Sequence, residues 1–219
     1  MKPKIAPQEL QPKSFAFSKE SMKQVKYHIA KYPEGRQASA VMPLLDIAQR
    51  QEGWISEAAM NEIAVTLDMP PIKVYEVATF YSMYHLAPVG KYHLQLCTTT
   101  PCWLCGSGKL KKVIKDKLGI ENNGDVSKDG MFSIEEVECL GACVNAPVCQ
   151  VNDDYYEDLD EDNFVQILDE LAKGKVPAKG SMKDRQCSMP EDGTTVLVDQ
   201  AKKAAIAIKD TSKSTGGKA

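Results

Sequence analysis

The chain has little of what several function classes require. Only 3 of its 219 residues are histidine, and none of His28, His85 and His93 stands beside a cysteine pair, which argues against a Rieske-type centre. Lysine and arginine (27) are slightly outnumbered by aspartate and glutamate (30), so a net charge of -3 offers no basic field for nucleic acid. Apolar runs fall far short of the ~20 residues that a membrane span needs. The stretch MKPKIAPQELQPKSFAF has no apolar core of a secretion signal and is poor in Arg and Ser, so the chain is expected to be soluble and cytosolic. No internal repeat is evident. A Gly-x-Gly-x-x-Gly turn after a strand and a Walker loop are both missing, and Gly106-Ser107-Gly108 is too short to stand for either.

What the chain does have is sulfur. Seven cysteines, an odd number, speak against a secreted disulfide framework and for metal or redox use in a reducing compartment. Four of them fall in two short loops, Cys97-Thr98-Thr99-Thr100-Pro101-Cys102 and Cys139-Leu140-Gly141-Ala142-Cys143. Thiolates are the soft ligands of iron-sulfur clusters, and two pairs on two loops suit a two-iron rhomb. Pro101 fixes the backbone before Cys102, the β-branched threonines stiffen the turn and offer N–H donors to sulfur, and Gly141 gives the tight second loop its freedom in φ. An all-cysteine two-iron cluster changes from a charge of about -2 to about -3 on reduction, so its potential is expected to be low, on the order of -400 mV. Spacing leaves other sets open. Cys97, Cys102 and Cys105 also satisfy the plant-type pattern, with Cys139, Cys143 or Cys149 as the fourth ligand. Cys102 and Cys105 with the later pair could hold structural zinc, or Cys102 and Cys105 could run disulfide chemistry, which excludes ligation at Cys102.

Periodicity places these loops. Residues 1–17 lack it and read as an arm. Ser18 caps a helix ending near Tyr32-Pro33, a second runs from Gln37 to Arg50, Ser56 opens a third, and Pro71 starts a fourth carrying Val74, Val77, Ala78, Tyr81 and Met83. These four make a helical bundle over 18–87. Beyond Gly90 the pattern alternates: a strand at Tyr92–Cys97, a helix at Gly108–Leu118, strands at Met131–Val137, Val148–Val151 and Tyr155–Leu159, and a helix capped by Asp160. The expected fold class is α+β, with a mixed-sheet domain over 88–176 whose cysteine loops follow its first and second strands. Residues 177–200 read as an irregular arm with a short strand at Thr194–Val198, and 201–219 as a disordered tail.

The residues Ala78-Thr79-Phe80-Tyr81, Pro88-Val89-Gly90-Lys91-Tyr92-His93, Cys97 to Leu104, and Glu138 to Pro147 closely resemble the E-type, thioredoxin-like two-iron ferredoxin subunit of NADH-quinone oxidoreductase, respiratory complex I. The resemblance spans about Phe15 to Asp199. It implies a helical bundle joined to a thioredoxin-like domain, and one 2Fe-2S cluster held by Cys97, Cys102, Cys139 and Cys143. It further implies FMN and NADH on a partner flavoprotein subunit, a larger iron-sulfur subunit beside it, and a peripheral place on the cytosolic side of a bacterial inner membrane. The isolated chain is then expected not to oxidise NADH. Cys105 departs from the family pattern, which more often has arginine there. Two rival assignments are the equivalent subunit of a soluble NAD-linked hydrogenase or formate dehydrogenase, and a zinc-stabilised scaffold without redox role.

The remaining features have ordinary readings. Cys105, Cys149 and Cys187 read as plain thiols and the three histidines as structural. Phe80, Tyr81 and Tyr84 read as core or interface packing. Lys109, Lys111, Lys112, Lys115 and Lys117 read as a solvated face, with an acidic docking surface as the sharper alternative. The acidic stretch 153–162 suits the N-terminus of the helix after it.

Overall fold

The computed structural model describes residues 4–190, 197–200 and 203. The described residues form two compact units, 4–93 with Gly124–Ser133, and Leu94–Asn123 with those from Ile134 onward.

Helix starts in the first unit follow from side chains that take the orphan N–H groups of a first turn. Ser18 accepts from the N–H of Ser21 and opens α1 (Lys19–Ile29). The helix expected from Gln37 begins later: Gln37–Ala40 is a 3-10 turn, and α2 spans Val41–Glu52. Pro43 explains the delay, because its ring crowds the carbonyl four residues earlier and tightens the turn before it. Ser56 caps α3 (Glu57–Thr66) through Ala59, and Pro71 leads α4 (Pro71–Phe80). Tyr81 and Met83, expected on that fourth helix, lie beyond its end. The Thr79 hydroxyl donates back to the Tyr75 carbonyl at 2.8 Å, a bond that competes with continuing the helix, and Tyr81 is extended.

Leu44, Leu45, Ala48, Ile63 and Val74 form the fully buried centre of this unit. Each large aliphatic buried there contributes about 1.5–3 kcal/mol. The segment before α1 lies on the same helices: Ala6 donates its N–H to the Leu86 carbonyl at 2.9 Å, and the Gln51 amide donates to the Ala16 carbonyl at 3.0 Å. Gly90 permits a close backbone approach, since a Cβ there would sit 2.4 Å from the Phe132 carbonyl carbon. His93 is buried with Nδ1 2.8 Å from the Ser133 hydroxyl, and its ring packs edge to face on His85 at 4.5 Å, in keeping with a structural role.

The second unit holds most of a five-stranded mixed sheet. The strands are β1 (Tyr92–Cys97), β2 (Phe132–Val137), β3 (Cys149–Val151), β4 (Asp154–Glu157) and β5 (Gly180–Ser181), in the order β2-β1-β3-β4-β5. β1 and β2 each start with two residues of the first unit. β1 and β4 flank β3 antiparallel, with Leu96 opposite Cys149 and Cys149 opposite Tyr156. β5, which periodicity missed because it is two residues long, pairs parallel with β4. Between β1 and β2 come a short helix α5 (Thr100–Leu104) and then α6 (Ser107–Leu118); α7 (Glu161–Ala172) follows β4. Asp160 and Asn163 close a capping box at the start of α7. Leu110 and Ile114 of α6 and Phe164, Ile167, Leu168 and Leu171 of α7 are buried. The α+β class is therefore as the sequence led us to expect.

At the site a further expectation changes. The first cysteine loop is not an open turn, because Thr100 to Leu104 wind into α5 with Pro101 in its first turn, which places Cys102 on a helix. Of the strand expected at Thr194–Val198, positions 194–196 lie outside the described residues, and Val198 is helical. Apart from Lys203, the expected disordered tail also lies outside them.

Candidate metal centre

β1 delivers Cys97 as its last residue, and the helical turn that follows returns Cys102 to the same spot. Both are 1 % exposed and share one buried cluster with Val148, against which Leu140, Ala142, Ala146 and Tyr155 pack. The second cysteine loop is thus laid against the first pair. Cys139 and Cys143 are themselves exposed, with their sulfurs 3.4 Å apart. One side of the constellation is buried in protein and the other opens outward.

Polar groups stand close to the sulfurs. The Thr99 hydroxyl lies 3.2 Å from Cys97 Sγ, and Gly141 donates its N–H to Cys139 Sγ at 3.4 Å. Gly141 does so at φ +79°, a backbone state that an L side chain strains. Burial opposes ionisation of Cys97, but the Thr99 hydroxyl and N–H, the Leu140 N–H and the Cys102 thiol outweigh it and hold Cys97 below its ordinary value. Cys102 is pushed up to about 12 by burial and by its bond to Cys97, although the Val148 N–H works the other way. Cys143 is raised chiefly by its contact with Cys139, and it also feels the charge of Cys97. Four thiols within electrostatic reach of one another, with N–H donors pointed at them, suit a group that keeps all four as thiolates.

The other cysteines sit differently. Cys149 is wholly buried in β3, its thiol pushed up to about 12 by burial and 3.7 Å from the Gln150 carbonyl. Cys105 is exposed at the end of α5, and Cys187 is exposed at φ 51° with its carbonyl taking the Asn145 amide at 2.8 Å.

The family described as thioredoxin-like [2Fe-2S] ferredoxin matches residues 25–172. The chain belongs to that family. Among curated relatives, the E subunit of NADH-quinone oxidoreductase from Rickettsia typhi is 51% identical over 158 residues, covering 72% of this chain and 92% of the relative. The protein of the same name from Rickettsia bellii is 53% identical over 159 residues, covering 72% and 95%. Among solved structures, an H2-reduced NAD+-reducing [NiFe]-hydrogenase matches with a TM-score of 0.53 at 18% identity, over 61% of this chain and 22% of the hydrogenase chain, a likeness of fold. As a thioredoxin-like 2Fe-2S ferredoxin the chain takes a two-iron cluster, and the donor set described above fits one: soft sulfur ligands, partly buried, with amide donors on them.

Sequence reasoning found the cysteine pairs and Gly141, and of the three threonines expected to offer donors Thr99 lies at the Cys97 sulfur. It missed the Leu140 and Val148 N–H groups, because which amide points at a sulfur depends on how two distant loops are laid together. It also missed Tyr155 and Arg185, which brace the second loop from 15 and 41 residues away. The lysine-rich α6 proves to be paired with carboxylates: Lys109 with Glu161, Lys111 with Glu136, Lys115 with Glu121 and Lys117 with Asp169. Exposed pairs of this kind contribute about 0–1 kcal/mol each.

Proposed function

We propose that this chain is the electron-transfer subunit of the NADH dehydrogenase module of a respiratory complex I, with Cys97, Cys102, Cys139 and Cys143 as the ligands of its 2Fe-2S cluster. The observation that carries the ligand set is the seating of the second loop on the first pair: Leu140 and Ala142 pack against buried Cys97 and Cys102 while Cys139 and Cys143 lie 3.4 Å apart at the open side. When bound, such a cluster supplies one-electron acceptance and return at low potential. The chain's own residues do the rest. Burial of Cys97 and Cys102 keeps water from half of the site, and the N–H groups of Thr99, Leu140, Gly141 and Val148 favour the negative charge that sulfur carries.

The choice of complex I over a soluble NAD-linked hydrogenase or formate dehydrogenase rests on relatives more than 50% identical over more than 90% of their length, against a hydrogenase likeness at 18% identity. In this reading FMN and NADH belong to a partner flavoprotein subunit, and a large iron-sulfur subunit completes the surroundings. Residues 18–87 serve as the helical bundle and 88–176 as the redox domain, while 1–17 and 177–200 act as gripping arms. The complex sits on the cytosolic side of a bacterial inner membrane, and the chain joins it peripherally; no helix among the described residues is long and apolar enough to cross a membrane.

The test is reduction by NADH with and without the flavoprotein. The purified chain alone should show no bleaching of its visible spectrum with NADH, and should bleach when the flavoprotein subunit is added. Bleaching by NADH alone, or none in the reconstituted pair when dithionite does bleach the chain, overturns the assignment.

A further inference from the structure

The arm after α7 returns to the second cysteine loop and is locked there by one buried cation. Arg185 has a side chain only 8 % exposed, facing Asp158, which is 4 % exposed, at 2.9 Å. The same Nη1 that meets Asp158 also donates to the carbonyl of Val144, the residue after Cys143, at 3.3 Å, and Nε donates to the Met189 carbonyl at 2.8 Å. Asp158 is further held by the Ser181 hydroxyl at 2.6 Å. From the same strand end, Asp158 donates its N–H to the Asn145 carbonyl at 2.7 Å. The Asn145 amide in turn donates to the Glu157 carboxylate and to the Cys187 carbonyl of the arm, the latter at 2.8 Å. The 3-10 turn Cys143–Asn145 is therefore clasped between β4 and the arm, with the guanidinium joining the two.

A buried guanidinium is held at this cost in desolvation only when its fork is used. Here the fork ties carboxylate, arm and loop together in a way that an ammonium, with its compact charge, does not reproduce. We propose that Arg185 is a positioning residue for the metal centre: it holds the Cys143 turn in the conformation that keeps the two-iron cluster in place, acting through the Val144 carbonyl and the Asp158 pair. The proposal rests on the reading of Cys139 and Cys143 as ligands. It gives the C-terminal arm a role in cluster retention.

The full chain is loaded with cluster, and loss of visible absorbance to an iron chelator is timed for the wild type, Arg185→Met, Arg185→Lys and the control Lys179→Met. That control removes the exposed Lys179–Asp154 pair at 2.7 Å from the same arm without touching the loop. Loss of an outer contact that orients a ligand typically costs on the order of 10- to 100-fold in metal retention, so Arg185→Met should shed cluster at least tenfold faster. Lys179→Met should stay within about twofold of wild type. Arg185→Lys keeps the charge opposite Asp158 and should restore folding of the arm but not the slow rate. In parallel, amide exchange is read on the metal-free chain: the Asn145 and Ala146 N–H groups, bonded to Ala142 and Cys143 carbonyls, should exchange faster in both Arg185 variants while α7 is unchanged. If Arg185→Met does not fold, Arg185→Lys decides. Retention at the wild-type rate in Arg185→Lys, or equal acceleration by Lys179→Met, overturns the proposal. A wild-type chain that takes up no iron overturns the ligand reading instead, and leaves the exchange result to judge the clasp.

Discussion

The hydroxyl of Tyr155 donates to the carbonyl of Leu140 at 3.0 Å, and that same Leu140 packs against buried Cys97 and Cys102. Leu140 of the second cysteine loop is thereby held by a strand residue and seated on the first pair. Tyr155→Phe removes the brace and keeps the ring. The metal-free chain should lose about 1 kcal/mol in urea unfolding. The loaded chain should also release iron to a chelator measurably faster, and an unchanged release rate would show that the loop needs no support from β4.

Gly141 and Gly90 should fail for different reasons when replaced by alanine. At Gly141 there is open space for a Cβ but φ is +79°, so Gly141→Ala should cost about 1–2 kcal/mol and disturb the loop locally. At Gly90 the new Cβ would meet the backbone of Phe132 and Ser133, atoms that cannot swing aside, so Gly90→Ala should cost about 3 kcal/mol or more. Thermal unfolding of the two variants should therefore rank Gly90→Ala well below Gly141→Ala, while iron retention per folded chain should rank them the other way.

Alkaline pH should weaken the metal-free fold through Cys149. Its thiol is raised from 9.0 to about 12 by burial, so the neutral form is favoured in the folded state. Below pH 9 folded and unfolded chains both keep the proton and no stability is lost. As pH rises from about 9 towards 12 the unfolded chain ionises first, and stability falls by about 1.4 kcal/mol per pH unit for this one group. Cys149→Ala should make that slope shallower in urea unfolding between pH 9 and 10.5, the raised Cys102 thiol accounting for part of what remains. An unchanged slope would show that the buried thiol does not set it.

How far the sequence carries can be judged from particular residues. Ser18, Ser56, Pro71 and Asp160 mark helix starts because caps act within one turn, and all four stand where they were expected. Tyr92–Cys97 was legible because Tyr92, Leu94 and Leu96 alternate with His93 and Gln95 in the sequence, although the strand is buried on both faces, His93 included. The end of α4 was not, since Phe80, Tyr81 and Met83 are apolar at helical spacing yet 78 %, 39 % and 49 % exposed; apolarity there does not report a core. α5 was hidden by three threonines and a proline, residues that suggest a stiff turn until Pro101 is seen inside a helix's first turn, where it is tolerated. At the site, the thiols were legible by type and spacing. Apart from Thr99, their hydrogen-bond donors were not, because a main-chain N–H leaves no signature in the residue it belongs to. Arg185 looked like one charge among many in an irregular arm, and only tertiary structure buries it.

The central claim is the ligand set, and the most direct test is iron and acid-labile sulfide content with low-temperature EPR of the dithionite-reduced chain, across single alanine substitutions of all seven cysteines. Alanine offers no ligand atom. The wild type should hold about two irons and two sulfides and give one signal from a reduced two-iron centre. Both should be lost in Cys97→Ala, Cys102→Ala, Cys139→Ala and Cys143→Ala, and kept in Cys105→Ala, Cys149→Ala and Cys187→Ala. A cluster that survives Cys139→Ala or Cys143→Ala but is lost in Cys105→Ala would contradict the account and favour the plant-type set.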